Sequence, residues 1–189
     1  MNKTGGMTND DFDFSALSQE EKEVILSQAK IVQSAWRFLE EFYTHGDLEA
    51  CWGLMDPTLR LCWAQWWSGE NASALKTDGY DLAQTAEDLV EHGDSHEAWD
   101  DFQRVILREF RSAFPLDVDQ AGIGAEPRVI AQDVQLLYVH VKPPERGRWK
   151  PDETSLVRPL VLRLVGSEWK ILNLGYDQIP EPGWPPKLG

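Results

Sequence analysis

Helical periodicity fills the N-terminal half of this chain, around the Trp-rich stretch CWGLMDPTLRLCWAQWW, and alternating strands fill the C-terminal third, the last of them in SEWKILNLG. Helices followed by a strand meander, rather than helices alternating with strands, predict an α+β fold in which N-terminal helices pack on a mostly antiparallel C-terminal sheet. At 189 residues one domain is expected, large enough to bury a core without disulfides or metal.

Ser18 and Glu21 have the spacing of a capping box, so the first helix should start there. Val24, Ile25, Val32, Ala35, Trp36, Leu39, Phe42 and Tyr43 then recur at three- and four-residue intervals, and Gly46 supplies a stop. Asp47 should cap a short second helix through Met55. Asp56 before Pro57 should open a third, running to about Trp67. Gly69 and the segment SGENAS read as a loop, Asp81 as the start of a helix through Glu91, and the sequon Asn71-Ala72-Ser73 as chance. Asp94 and Glu97 repeat the capping-box spacing ahead of Trp99, Phe102, Val105, Ile106, Phe110 and Phe114, which mark a further helix.

After Pro115 the period changes, and LDVDQAGIGAE has room for a short strand among turn formers. Arg128 to Lys142 reads as one run with two apolar sets: Val129, Ala131, Leu137, Val139 and Val141 on one side, Ile130, Val134, Leu136, Tyr138 and His140 on the other. Leu156 to Val165 is similarly two-sided, and Trp169 to Leu174 forms a last strand. A sheet apolar on both faces needs cover on both. Helices can supply one cover, and a second subunit or buried loops the other. Pro159 has no amide to donate, which predicts a strand start, bulge or edge there. Three divisions follow: an acidic tail over 1–16, one domain over 17–176, and a Pro-rich tail over 177–189 that runs along the surface with Trp184 as its anchor.

Formal net charge is -14, and such a field repels phosphate backbones and anionic lipid surfaces, so neither nucleic acid nor membrane is an expected partner. No apolar run approaches the roughly 20 residues of a spanning helix. MNKTGGMTNDDFDFSAL has no basic region followed by an apolar stretch, which argues against a secretory signal, and the expected address is the cytoplasm. One basic cluster, Lys142, Arg146, Arg148 and Lys150, lies between strand candidates and reads as a solvated hairpin loop before an anion site. Cys51 and Cys62 have no metal-ligand or CxxC spacing and read as core thiols; no metal or cofactor is implied. Walker A, GxGxxG, HExxH and GxSxG patterns are absent, which disfavours nucleotide-driven, zinc-protease and serine-hydrolase chemistry.

The first helix ending in FYTHGDLEACWGLMDP, further helices, and strands closing on SEWKILNLG resemble the NTF2-like superfamily of α+β cones, which includes the SnoaL-like proteins. The resemblance covers about residues 20 to 176 and rests on element order and short phrases; the helical segment from Asn71 to Glu91 is longer than the minimal pattern. It implies a curved sheet wrapped around helices, an internal pocket, and a homodimer through the outer sheet face. Members include isomerases, dehydratases, epoxide hydrolases and polyketide cyclases beside non-catalytic binding domains, so the fold selects no reaction.

Polar candidates for such a pocket are Tyr43 and His45 at the end of the first helix, Asp56 and Arg60 in the third, and His140 and Asn173 on strands. None matches the acid-base sets of the catalytic families, which leaves His140 and Asp56 as the proton-transfer candidates. Asp56 reads first as a helix cap, Arg60 as its local ion-pair partner or a surface residue, His45 as a helix C-terminal residue, and His140 as the wet end of a strand. Nine Trp in one chain of this size is an unusual number, and Trp63, Trp66 and Trp67 cannot point one way, since adjacent helical residues lie about 100° apart. Trp63 and Trp67, with Tyr43, Tyr138 and Asn173, could line a pocket for an apolar or aromatic molecule, or these rings could simply fill the core.

Three readings follow: first, and narrowly favoured over catalysis, a protein that binds a small apolar or aromatic molecule in a Trp-lined cone pocket; second, an isomerase, dehydratase or hydrolase of the same fold; third, a non-catalytic module that binds another protein. An interior filled by Trp and Leu side chains favours the last.

Overall fold

The computed structural model describes residues 18–124, 127–141 and 156–189, and it is α+β as expected: helices precede a curled antiparallel half-barrel of strands. Helix α1 (Gln19–Leu39) runs directly into a π-helical turn, Glu40–His45. Its core stripe is Ile31, Ala35, Phe38, Leu39, Phe42 and Tyr43, with Val32 and Trp36 half-buried beside it. The widened π turn lets the neighbouring Phe42 and Tyr43 both reach the core. Gly46 then ends the helix at φ 68°, a left-handed conformation that glycine adopts without a steric penalty. At the other end, the Ser18 carbonyl accepts from the Lys22 amide at 3.0 Å; the Glu21 side chain of the expected capping box lies outside the described residues.

Three aspartates cap as their spacing predicts. Asp47 accepts from the Ala50 amide at the start of α2 (Leu48–Trp52), Asp56 from Thr58 at α3 (Pro57–Glu70), and Asp81 from Ala83 and Gln84 at α5 (Leu82–His92). Two expectations are corrected. The segment read as a loop after Gly69 is helical: α3 continues to Glu70, and α4 (Ala72–Thr77) follows after Asn71 alone. Asp94 and Glu97 make no capping box, because Gly93, at φ 55°, opens a short 3-10 turn, Gly93–Ser95, that delays α6 (Trp99–Ala113). At that start the Ala98 amide donates to His96 Nδ1 at 3.0 Å, while the Glu97 carboxylate is occupied by the Tyr80 hydroxyl.

The run from Arg128 is likewise two strands, not one. Arg128–Ala131 (β2) turns at Gln132 and Asp133 into Val134–His140 (β3), with Ala131 opposite Val134. The Asp133 carbonyl accepts from the Leu164 amide at 2.8 Å, which ties the turn to the neighbouring strand. Gly122–Ile123 (β1) and β2 share one edge of β3; Val157–Val165 (β4) and Glu168–Leu174 (β5) continue the antiparallel order on its other side. A register shift between Val161 and Leu162 interrupts the β4–β5 ladder, a local irregularity that bends a strand. The far edge of β5 is covered by the approach to α3: Asp56 donates its amide to the Ile171 carbonyl, and Ile171 donates to Leu54.

Pro159 sits in register with Tyr138, and its carbonyl accepts from Gly175 just past the end of β5, so the side where an amide is missing faces the frayed end of the ladder. Pro159 is the third residue of β4, so it is neither the strand start nor the register shift; of the expected settings the edge applies, since it lies one residue beyond the last β4–β5 pair, Leu160 opposite Leu174.

Alternation puts Leu137, Val139, Leu160, Leu162 and Ile171 against the helices in the main core. On the other face Val134, Leu136, Val161 and Leu172 form a second apolar cluster, joined by Ala131 and Tyr138. All four are buried within a single chain, so the centre of this face requires no second subunit to leave water.

Residues after β5 are tied back to the domain. The Asn173 side-chain amide donates to the carbonyls of Gln178 at 2.9 Å and Leu188 at 2.7 Å, Gly183 donates to Gln65 Oε1, and Leu188 packs on the main core. Trp184, the expected anchor, is 47 % exposed; Pro180 is the buried residue of the segment, and Leu188 is half-buried against the core. The basic cluster from Lys142 to Lys150 lies outside the described residues.

Candidate functional site

The sequence-predicted pocket residues are divided between the two sides of the sheet. Trp63 is fully buried, its ring centroid 4.4 Å from that of Phe110 and 5.8 Å from that of Phe42. Phe42 in turn stacks on Phe38 at 5.4 Å and meets the Tyr43 ring edge-on at 5.1 Å. Trp67 meets α6 nearer its start, edge-on to Phe102 at 5.8 Å, and Trp66 is half-buried against Phe110. The three indoles fan around α3 as its geometry demands. Together with the fully buried Leu59, Leu89 and Ile106, the rings form one continuous apolar cluster between helices and sheet.

Tyr43 belongs to this cluster and its hydroxyl is spent, donating to the Phe114 carbonyl at 2.7 Å. Burial raises its pKa well above the ordinary phenol value, against the charges of Arg158 and Arg111, so the group holds its proton. Asp56 is also buried. Beyond capping α3, both of its oxygens lie 3.3 Å from Arg163 Nη1, so its ion-pair partner comes from β4. Arg60, expected as that partner or as a surface residue, instead lays its guanidinium over the Trp52 ring at 5.8 Å. His45 is exposed and pairs with Glu41 at 2.9 Å, which raises its pKa.

Tyr138 and His140 project from alternate positions of β3 on the second face, opposite Pro159 and Val157. Asn173, opposite Val161, uses its side chain to hold the C-terminal segment. Strand alternation therefore keeps Tyr138 and His140 away from Tyr43, Trp63 and Trp67. The cysteines offer no nucleophile: both are buried, and burial pushes the Cys62 thiol up to about 11. Among the described residues no group of acidic, His and Cys side chains has the makings of a metal site, and no helix is long and apolar enough to cross a membrane.

Three open grooves lie on the outside of the described residues. One groove of about 430 Å³ lies between α1 and the β4–β5 turn, lined by Lys30, Ser34 and Arg37 of α1 and by Ser167, Trp169 and Lys170. The spacing i, i+4, i+7 puts the three α1 residues on one stripe. Lys170 Nζ is held by the Gly53 carbonyl at 2.7 Å and by Glu168 at 2.6 Å, and that bond, with the charge of Arg37, lowers the Glu168 pKa. A second groove, about 280 Å³, is lined by Trp67, Asn71, Tyr80, Glu97 and Asp101. A third, about 610 Å³ and apolar, follows Ile25, Ala29, Val32 and Trp36 along α1 to Ile123.

The cations of the basic groove are scattered along the chain, Lys30 and Arg37 on α1 and Lys170 on β5, so no cluster in the sequence marks it. The i, i+7 pair of Lys30 and Arg37 on the polar side of a predicted helix was the available signal. Comparison of the chain with protein-family models, with curated proteins and with solved structures finds no match in any of the three.

Proposed function

We propose that this chain is a non-catalytic binding module of the NTF2-like cone type, acting through its outer surface rather than through an internal reaction chamber. The observation that carries the reading is the full burial of Trp63 against Phe42 and Phe110, in the space where a cone pocket would lie. Two further points support it. The acid-base candidates on that side are engaged in structure, Tyr43 with Phe114 and Asp56 with Thr58 and Arg163. Exposed apolar side chains gather on β2, where Val129 is 65 % and Ile130 40 % exposed on the sheet's outermost strand. An apolar edge strand can pair with another chain, and in this reading a second copy pairs along β2.

The test is a thermal-shift titration against apolar, aromatic, steroid-like and polyketide-like compounds. No saturable stabilisation is expected. A saturable shift that disappears in Trp63→Phe would return the function to a ligand held inside the cone.

A further inference from the structure

We propose that the groove between α1 and the β4–β5 turn binds a small dianion, a phosphate monoester or a dicarboxylate, with the charged end between Lys30 and Arg37. The chain carries 32 acidic residues against 18 basic ones, yet neither Lys30 nor Arg37 forms an ion pair with a described residue. Lys170 lines the same groove, and Glu168 is the single carboxylate among its described lining residues. Three cations against one carboxylate leave an excess of two positive charges, which a dianion would neutralise.

The geometry fits a small molecule better than a bare ion. Lys30 and Arg37 lie about 10 Å apart along the helix axis at the α-helical rise, and the Ser34 hydroxyl lies on the same stripe between them. Lys170 Nζ is held by the Gly53 carbonyl and compensated by Glu168, so the uncompensated charge of the groove is that of Lys30 and Arg37. Trp169, 6 % exposed, is also in the lining and packs on the main core, which anchors this side of the groove. A volume of about 430 Å³ lies within the range of small-molecule sites. The site is independent of the packed interior and of pairing along β2.

The experiment is a ¹H–¹⁵N titration of the full chain with phenyl phosphate and with succinate at constant ionic strength, with sodium chloride and phenol as controls. Saturable shifts are expected at Ser34, Arg37, Ser167 and the Trp169 indole for both dianions, weakened about tenfold in the double variant Lys30→Gln/Arg37→Gln by loss of two charge-assisted contacts, and largely restored in Arg37→Lys. Both side chains are exposed, so an unchanged melting temperature verifies the fold of the variant. Non-saturating shifts, shifts equal in the double variant, or shifts reproduced by chloride or phenol would overturn the proposal.

Discussion

The Tyr43 hydroxyl donates to the Phe114 carbonyl at 2.7 Å, joining the π-helical end of α1 to the residue that closes α6 across 71 positions of sequence. Phe114 is a junction. Its ring meets Tyr176 edge-on at 5.2 Å, Arg158 lies over it at 5.9 Å, and Gly175 passes against it. Helix end, strand end and C-terminal segment converge there. Tyr43→Phe should cost about 1 kcal/mol, the usual net value of one hydrogen bond with a carbonyl left to find another partner. Urea denaturation of the two proteins measures it.

The same phenol makes a pH prediction. Its folded pKa is raised above the unfolded value near 10, chiefly by burial, so the folded state holds this proton more tightly. The contribution is complete below the unfolded pKa and is lost as pH rises above it toward the folded value. Stability measured from pH 9 to 11 should fall less steeply in Tyr43→Phe than in the wild-type chain, and parallel curves would show that Tyr43 ionises freely.

Gly175 and Gly166 separate backbone strain from crowding. Both have positive φ, 83° and 63°, but an added Cβ at Gly175 would come within 2.3 Å of the Phe114 ring, while Gly166 faces open space. Gly166→Ala should cost about 1–2 kcal/mol from the left-handed backbone alone. Gly175→Ala should cost about 2 kcal/mol more, because the ring must move. Equal losses in denaturation midpoints would mean that Phe114 yields freely.

Much of the helical half was legible because capping is local. Asp47, Asp56 and Asp81 each act on amides two or three residues ahead, and the sequence displays that spacing. Asp94 and Glu97 show the same spacing and fail, because the Gly93 backbone and a Tyr80 hydroxyl 17 residues from Glu97 take over. The turn at Gln132 and Asp133 carries none of the Gly, Pro or Asn signals of a hairpin, so β2 and β3 read as one strand. The two-faced character of the sheet was visible in Leu136 and Leu137, which are buried in opposite clusters. The candidate site was not visible, since proximity of Lys30, Arg37 and Lys170 is created by α1 crossing the β4–β5 turn.

The second copy expected along β2 predicts a concentration-dependent dimer. Sedimentation velocity should show a dimer for the wild-type chain and a monomer for Val129→Lys/Ile130→Lys, since charge on an edge strand opposes pairing. A wild-type monomer at all concentrations, or a dimer unaffected by the substitutions, would remove pairing along β2 from the account.

The filled interior is tested most directly by proton exchange at the Trp indoles, followed by ¹H–¹⁵N spectroscopy in D2O with and without the compound panel. The Trp63 ring is fully buried and its Nε1 has no hydrogen-bond partner among the described residues, whereas Trp184 is 47 % exposed. The Trp63 indole proton should exchange only through global unfolding and be shifted by no compound, while that of Trp184 is lost early. Rapid exchange at Trp63, or a saturable shift of its resonance by an aromatic or steroid-like compound, would contradict a packed cone and reinstate an internal binding chamber.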